Sequence, residues 1–158
     1  MKMEHLKKQY HWLFSTNAML KVDEGWTWLV SGLCQALEEH EKEDLNEPVK
    51  ITGVGQSFGA LSIKFTGGGH TTELMIHAVE LISHQVCQLC ASTEEAGSTF
   101  GPFIFTVCKQ CWSEDEKYHV HLFNPNRFSE TAATKIEAGL LVMPEGWFKK
   151  RLGRLVNQ

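Results

Sequence analysis

Apolar residues recur at intervals of three and four in three stretches of the chain, which is the period of an amphipathic helix. The first predicted helix covers residues 25–43 and the second covers residues 71–86. A third stretch, residues 131–143, is predicted as a helix or as a helix that passes into a strand. The apolar positions that define the three stretches are Trp26, Leu29, Val30, Leu33 and Leu37, then Met75, Ala78, Val79, Ile82 and Val86, then Ile136, Leu140, Leu141 and Val142.

Strict alternation of apolar and polar residues marks two further segments and predicts half-buried strands. The alternating apolar positions are Val49 and Ile51 in the first segment, and Leu61, Ile63 and Phe65 in the second. Residues 53–60 lie between them and contain three glycines, so we expect a turn there and an antiparallel hairpin. A third β-prone run covers residues 103–107 and follows a polar stretch, residues 92–101, that is predicted as a loop.

The two ends of the chain carry mixed apolar and basic residues. Residues 2–14 are predicted to form a short helix or an arm laid against the body of the protein. Residues 144–158 are predicted to form a basic amphipathic helix, with its apolar residues on one face. Its four cationic residues lie elsewhere on that helix and are Lys149, Lys150, Arg151 and Arg154.

Four of the five cysteines form two C-x-x-C pairs, and they provide the strongest chemical signal in the sequence. Cys87 and Cys90 are separated from Cys108 and Cys111 by the 17 residues 91–107. This spacing is typical of a four-cysteine zinc site, in which each pair supplies two thiolates to one tetrahedral ion. We therefore expect structural Zn²⁺ in a zinc-ribbon subdomain over residues 86–112, with an iron–sulfur cluster as the alternative metal group.

A closed site of four thiolates leaves no open position for a substrate or for an activated water, so this site does not by itself predict an activity. The fifth cysteine, Cys34, lies on the apolar stripe of the first predicted helix, where we expect a small buried side chain rather than a nucleophile.

The composition of the chain excludes several classes of protein. The 158 residues are 42% hydrophobic and 22% charged, which predicts one globular domain over residues 1–158. The formal charge of −4 argues against a strongly basic nucleic-acid-binding protein. No apolar run approaches the roughly 18 residues that a membrane span needs, and the polar N-terminus has no signal-peptide core. We therefore expect a cytoplasmic protein, whose reducing surroundings favour metal-bound thiolates over disulfides.

Motifs of zinc enzymes are absent from the sequence. Base deaminases need an H-x-E motif before a P-C-x-x-C motif, and neither H-x-E nor H-E-x-x-H occurs. Residues 91–107 contain no histidine, which disfavours a nuclease with catalytic histidines between its cysteine pairs. His70, His77 and His84 are spaced by seven along the second predicted helix; a second metal or a pH-sensitive surface is conceivable, and a solvated helix face is the more usual explanation.

One resemblance comes from the order of these motifs. Gly25-Trp26 opens the first helix, Phe58-Gly59 precedes Leu61 in the hairpin, and the second helix leads through Ser83 into Cys87. This order over residues 25–111 resembles a group of small uncharacterised bacterial and phage proteins. The resemblance implies a helix, a β-hairpin, a helix and a C-x-x-C knuckle in a mobile-element context. The chain differs from that group at residues 55–57, where Gly-Gln-Ser replaces a charged Lys-Glu-Lys stretch.

Taken together, the patterns predict a single α+β domain with amphipathic helices on a small antiparallel sheet and a four-cysteine zinc ribbon. The first functional hypothesis is a non-catalytic binding protein with a protein partner, in which tryptophan and phenylalanine side chains supply the anchors. In the mobile-element context, the expected partner is a host or defence enzyme that the protein inhibits. An alternative is a nucleic-acid-binding regulator that uses the basic C-terminal helix with Lys7 and Lys8. A second alternative is an enzyme without a recognisable motif. No membrane association is expected, and no pattern specifies an oligomeric state.

Overall fold

A three-stranded sheet forms the centre of the N-terminal part of the protein. The computed structural model describes residues 2–41, 47–126 and 129–141. The sheet has the order β1-β2-β3, with bounds Phe14–Leu20, Lys50–Ser57 and Ala60–Thr66. β2 and β3 form the predicted antiparallel hairpin, whereas β1 pairs parallel to β2. The apolar pattern did not reveal β1, and its presence makes the sheet mixed rather than purely antiparallel.

The turn between β2 and β3 is shorter than predicted. It consists of Phe58 and Gly59, both with positive φ, at 51° and 78°. Residues 53–57, which the glycines assigned to the turn, belong to β2. An irregularity in the register between Ile51 and Gly53 accommodates one extra residue, which is a common role for glycine in a strand.

The helices predicted from the period of three and four are confirmed. A short 3₁₀ helix, Glu24–Trp26, leads into α2, Thr27–Glu41, and α3 covers His70–Ile82 before a second 3₁₀ turn, Ser83–Gln85. α1 covers Met3–Gln9 and α6 covers Glu130–Leu141. Their apolar faces bury one continuous core against the sheet, in which the largest fully buried side chains include Trp26, Leu29, Leu33 and Ile51. Burial of each such side chain contributes about 1.5 to 3 kcal/mol, so this core provides the main stability of the N-terminal part.

A second antiparallel sheet organises residues 86–126, which we call the cysteine lobe. Its order is β5-β4-β6, with bounds Phe105–Cys108, Ala96–Phe100 and Leu122–Pro125. β4 falls within the stretch predicted as a loop, because its small residues carry little strand signal, and it pairs with both neighbouring strands. Two short helices, α4 (Lys109–Glu114) and α5 (Glu116–His119), connect β5 to β6.

Aromatic side chains fill the space between this sheet and the two short helices. Trp112 stacks on Phe123 with ring centroids 5.2 Å apart, and Phe105 meets Tyr118 edge to face at 5.2 Å. The Trp112 indole also donates to the His121 carbonyl at 2.9 Å. These rings form a small second core together with Cys87, Val107 and Cys108.

The predicted basic helix over residues 144–158 lies outside the described residues. In the part of the chain that the structure describes, none of the helices is both long and apolar enough to cross a bilayer.

Candidate metal centre

Four cysteine side chains converge where the second 3₁₀ turn and β5 meet. Cys87 and Cys90 lie on the turn that follows Gln85, Cys108 is the last residue of β5, and Cys111 lies in α4. Their four sulfur atoms all lie within 4.8 Å of one another. A zinc tetrahedron with Zn–S bonds of about 2.3 Å has edges of about 3.8 Å, and the Cys90 and Cys108 sulfurs are 3.7 Å apart. The cluster could therefore hold a metal ion such as zinc.

Backbone hydrogen bonds shape both turns of the cluster. In the first turn the Ala91 N–H donates to the Cys87 carbonyl at 3.0 Å, and the Cys87 N–H donates to the Ser92 carbonyl at 2.9 Å. In the second turn the Cys111 N–H points at the Cys108 sulfur, with a nitrogen–sulfur distance of 3.4 Å. Amide groups directed at sulfur stabilise a thiolate, which is the form of cysteine that binds metals.

The electrostatics of the four thiols favour a bound cation. Burial opposes ionisation of the Cys87 thiol, but nearby backbone N–H groups, first that of Cys90 and then that of Cys108, lower its pKa overall. Burial and the neighbouring Cys87 sulfur raise the pKa of the thiols of Cys90 and Cys111. Negative charge on the Cys87 sulfur therefore opposes ionisation of the Cys90 and Cys111 thiols. A divalent ion removes this conflict, because it stabilises each coordinated thiolate directly.

Cys34 does not belong to this cluster. It lies on α2 in the main core with no exposed surface, which confirms the expectation of a buried side chain. Burial, followed by the charge of Glu38, raises the pKa of the Cys34 thiol to about 12. A thiol in that state is neither a nucleophile nor a metal ligand at neutral pH.

The first cysteine turn is held against the start of the first helical segment. The Gly25 N–H donates to the Gln88 carbonyl at 2.9 Å, and the Trp26 indole donates to the Val86 carbonyl at 2.9 Å. A Cβ atom added at Gly25 would lie 2.3 Å from the carbonyl oxygen of Cys87. Only glycine allows this approach of two backbone segments, which fixes the position of Cys87 relative to the main core.

Gln88, between the first two cysteines, connects the cysteine lobe to the rest of the protein. Its side chain has no exposed surface. The side-chain amide donates to the Asp23 carboxylate at 2.6 Å and to the Gln56 side-chain oxygen at 3.2 Å. The side-chain oxygen accepts from the Thr106 N–H at 2.9 Å. Sequence reasoning missed this residue, because its partners are remote along the chain and a polar residue in a C-x-x-C turn usually faces solvent.

The structure does not bring the three histidines of the predicted row together. His77 is 67% exposed, with its ring 3.7 Å from the carboxylate of Glu80 at position i+3, so the expectation that no carboxylate lies at i+3 or i+4 from these histidines is wrong. Burial lowers the pKa of His84. Among the described residues, the four cysteines are the one group of three or more histidine, cysteine or acidic side chains whose ligand atoms converge.

The nucleic-acid-binding alternative relies on cationic residues at both ends of the chain, and the structure describes only those near the N-terminus. Lys149, Lys150, Arg151 and Arg154 lie outside the described residues, so their role stays a prediction. Lys7 is engaged within the fold, since its ammonium group donates to the carbonyls of Thr16 and Ala18 at 3.1 and 3.2 Å.

A group of exposed apolar side chains lies at the end of the cysteine lobe that contains the β4–β5 loop. Phe58 is 83% exposed and Phe103 is 73% exposed. The β2–β3 turn that carries Phe58 packs on the segment that follows Phe103: the Thr106 hydroxyl donates to the Gly59 carbonyl, and the Gln56 amide donates to the Ile104 carbonyl at 2.9 Å. Phe100, at the end of β4, and its cross-strand neighbour Leu122 are exposed as well. We call these four residues, Phe58, Phe100, Phe103 and Leu122, the hairpin-tip surface.

The fold and the site define an α+β protein with a C-x-x-C…C-x-x-C cluster that could hold a metal ion. Comparisons with protein-family models, with curated proteins and with solved structures found no match to this chain. The resemblance of residues 25–111 to small bacterial and phage proteins therefore stays a prediction.

Proposed function

We propose that this is a non-catalytic zinc-ribbon protein that binds a protein partner through its hairpin-tip surface. Zinc is the metal that four thiolates in a tetrahedral arrangement favour, and it contributes stability rather than chemistry when no coordination position is open. The cysteine lobe has only a small core of its own, and a bound metal would hold its two cysteine turns together. In this proposal the metal is a structural component that positions the tip for binding.

Phe58 is the observation that carries the proposal. It occupies the first position of a two-residue hairpin turn in which both residues have positive φ. Such turns favour Asn-Gly or Asp-Gly, and a bulky residue in the left-handed region costs of order 1 to 3 kcal/mol. The ring does not recover this energy by burial, because it is 83% exposed. An exposed aromatic residue kept at a strained position is typical of a binding anchor.

The composition of the surrounding surface supports a protein partner. Phe103 and Leu122 are 73% and 77% exposed, and Phe100 is exposed as the cross-strand neighbour of Leu122. Large exposed apolar groups that are close together mark interaction sites on soluble domains, whereas single ones are common and carry no such meaning. Following the resemblance of residues 25–111 to phage and bacterial proteins, we propose a host or defence enzyme as the partner that is inhibited.

The experiment that tests this proposal is capture of partners from a nuclease-treated host lysate by wild-type protein and by Phe58→Asn, with quantitative mass spectrometry. Asparagine suits the left-handed turn, so the variant should be more stable than wild type by about 1 kcal/mol and yet lose the captured partner. Loss of binding together with a gain in stability cannot be attributed to misfolding.

A matched control is Leu141→Asn, which removes an equally exposed apolar side chain (85%) from α6. This control should capture the same partner as wild type. Capture that is unchanged in Phe58→Asn, or reduced equally in both variants, would contradict the assignment of the hairpin tip as the binding surface.

A further inference from the structure

The outer face of the first sheet forms a second surface, distinct from the hairpin tip and from the cysteine cluster. The inner face buries side chains such as Ile51, Leu61 and Ile63 in the main core. On the opposite face each strand, or the residue directly after it, contributes one exposed lysine. These are Lys21 after β1, Lys50 in β2 and Lys64 in β3. Lys21 continues the pairing of β1, since its N–H donates to the Val54 carbonyl at 2.9 Å.

Charge is segregated across this sheet. Residues 14–22 and 50–66, which include all three strands, contain three lysines and no aspartate or glutamate. The helices α2 and α3, which pack against the inner face, contain five glutamates and no lysine or arginine. An overall charge of −4 therefore hides a locally basic face. A fixed local field of this kind attracts an anionic partner even when the net charge of the protein is negative.

The shape and chemistry of the face define the kind of anion it fits. A Cβ added at Gly55 would meet no atom within 4 Å, and one added at Gly53 would meet only ordinary contacts at 3.8 Å. The sheet surface at these positions is therefore open to a ligand that approaches the backbone closely. Thr52, Ser62 and Thr66 add hydroxyl groups at outward-facing positions, and the outward-facing strand positions carry no aromatic ring.

We propose that this face binds the phosphodiester backbone of a nucleic acid without reading its sequence, which goes beyond the proposed protein-binding function. Lysine and hydroxyl side chains are the usual contacts to phosphate oxygens. Recognition of protein carboxylates more often uses the planar fork of arginine, and residues 14–22 and 50–66 contain no arginine. Since the outward-facing strand positions carry no ring to stack on bases, the contact they make is electrostatic and independent of sequence.

The number of lysines sets the expected salt dependence of the binding constant. If each neutralises one phosphate, the slope of log K against log salt is about −2.7 for duplex DNA and about −2.1 for a single strand. Affinity should then fall about 20- to 40-fold between about 50 and 200 mM salt.

The test measures binding of fluorescein-labelled single-stranded and duplex oligonucleotides by anisotropy across this salt range, with the full chain loaded with zinc. The double variant Lys21→Gln/Lys64→Gln should lower the magnitude of the slope by about 1.4 for the single strand and about 1.8 for the duplex. Lys50 is left in place because its ammonium group also donates to the Trp12 carbonyl. The control Lys109→Gln/Lys135→Gln removes the same charge from exposed positions on α4 and α6 and should keep the wild-type slope.

Three results would overturn the proposal. The first is a slope that is unchanged in Lys21→Gln/Lys64→Gln while thermal melting shows a folded protein. The second is loss of the slope on neutralising Lys149, Lys150, Arg151 and Arg154 instead, which would assign binding to the C-terminal residues. The third is binding of polyglutamate as tight as that of the oligonucleotides, which would indicate an acidic protein as the partner. None of these results bears on Phe58, so this proposal and the proposed function can fail separately.

Discussion

Replacing Gly25 with alanine tests whether the contact between the first helical segment and the first cysteine turn supports the candidate metal centre. The added Cβ would lie 2.3 Å from the Cys87 carbonyl oxygen and 2.5 Å from the carbonyl carbon and oxygen of Gln88. These are backbone atoms, so no side-chain rotation can relieve the contact. Overpacking of a closed site costs about 1 to 3 kcal/mol, and weakening of the hydrogen bond from the Gly25 N–H adds about 1 kcal/mol. We expect Gly25→Ala to lower the free energy of unfolding by about 3 kcal/mol.

Urea denaturation with excess zinc, followed by tryptophan fluorescence, measures this loss as a lower midpoint at an unchanged m-value. Competition with a chromophoric chelator measures zinc affinity in the same samples. If the strain displaces Cys87, zinc affinity should fall tenfold for each 1.4 kcal/mol or so of strain energy. A loss in stability and a loss in zinc affinity should therefore appear together.

Gly55→Ala is the matched control, because an added Cβ there meets no atom within 4 Å. Glycine in a strand is less stable than alanine by about 0.5 to 1 kcal/mol, so this control should be neutral or slightly more stable than wild type. The reasoning would be refuted by a Gly25→Ala protein whose unfolding free energy lies within about 0.5 kcal/mol of wild type and whose zinc affinity is unchanged.

Two further predictions concern titratable side chains. Metal analysis should find one zinc per chain. After chelation the four clustered cysteines should react with iodoacetamide, whereas Cys34 should react only in denaturant. Substoichiometric zinc in folded protein, or reaction of Cys34 before denaturation, would contradict the prediction. Burial raises the pKa of Glu80, against the opposing hydrogen bond from the Ile63 N–H and the nearby His77. The folded chain then binds more protons at this carboxyl group than the unfolded chain, so the free energy of unfolding should fall as pH rises from about 4.5 through the folded pKa. Glu80→Gln keeps an acceptor for the Ile63 N–H and should remove this decline in stability. The control Glu73→Gln, at an exposed position, should retain the decline. Parallel pH profiles for both variants would argue against a raised pKa at Glu80.

The cysteine cluster and three helices could be predicted from the sequence, because each rests on a local pattern. The spacing of Cys87, Cys90, Cys108 and Cys111 requires only two tight turns and a hairpin between them, and the structure brings their sulfurs within 4.8 Å. The α2, α3 and α6 helices each bury one apolar face, so their periodicity of three and four is visible without knowledge of their partners.

The features that the sequence did not predict depend on contacts between distant segments. β1 has an irregular register with β2 between Phe14 and Met19, so its residues do not alternate cleanly. β4 is recognisable only through its two partner strands. Gln88 resembles an exposed turn residue until Asp23 and Gln56 are placed beside it. The one local signal available for the hairpin tip is Phe58 before Gly59, where a tight turn favours asparagine or aspartate.

The way the strand edges are protected bears on how a partner can bind. In the first sheet, the free carbonyls of β1 accept hydrogen bonds from Lys7. The free N–H groups of β3 are engaged too, since Leu61 donates to the Ser83 hydroxyl at 2.8 Å and Ile63 donates to the Glu80 carboxylate at 3.0 Å. Side chains that occupy edge groups in this way prevent the addition of a further strand.

The edge strands of the second sheet are protected in a similar way. The free edge of β5 is satisfied by Gln88, whose backbone N–H donates to the Thr106 carbonyl at 3.0 Å and whose side-chain oxygen accepts from the Thr106 N–H at 2.9 Å. β6 ends at Pro125, which has no N–H to offer. A partner that adds a strand to either sheet would have to displace these groups, so we expect binding through side-chain surfaces instead. Because the hairpin-tip surface is apolar and the outer face of the first sheet is basic, the two surfaces should respond differently to salt: added salt should weaken binding at the sheet face and should not weaken binding at the tip.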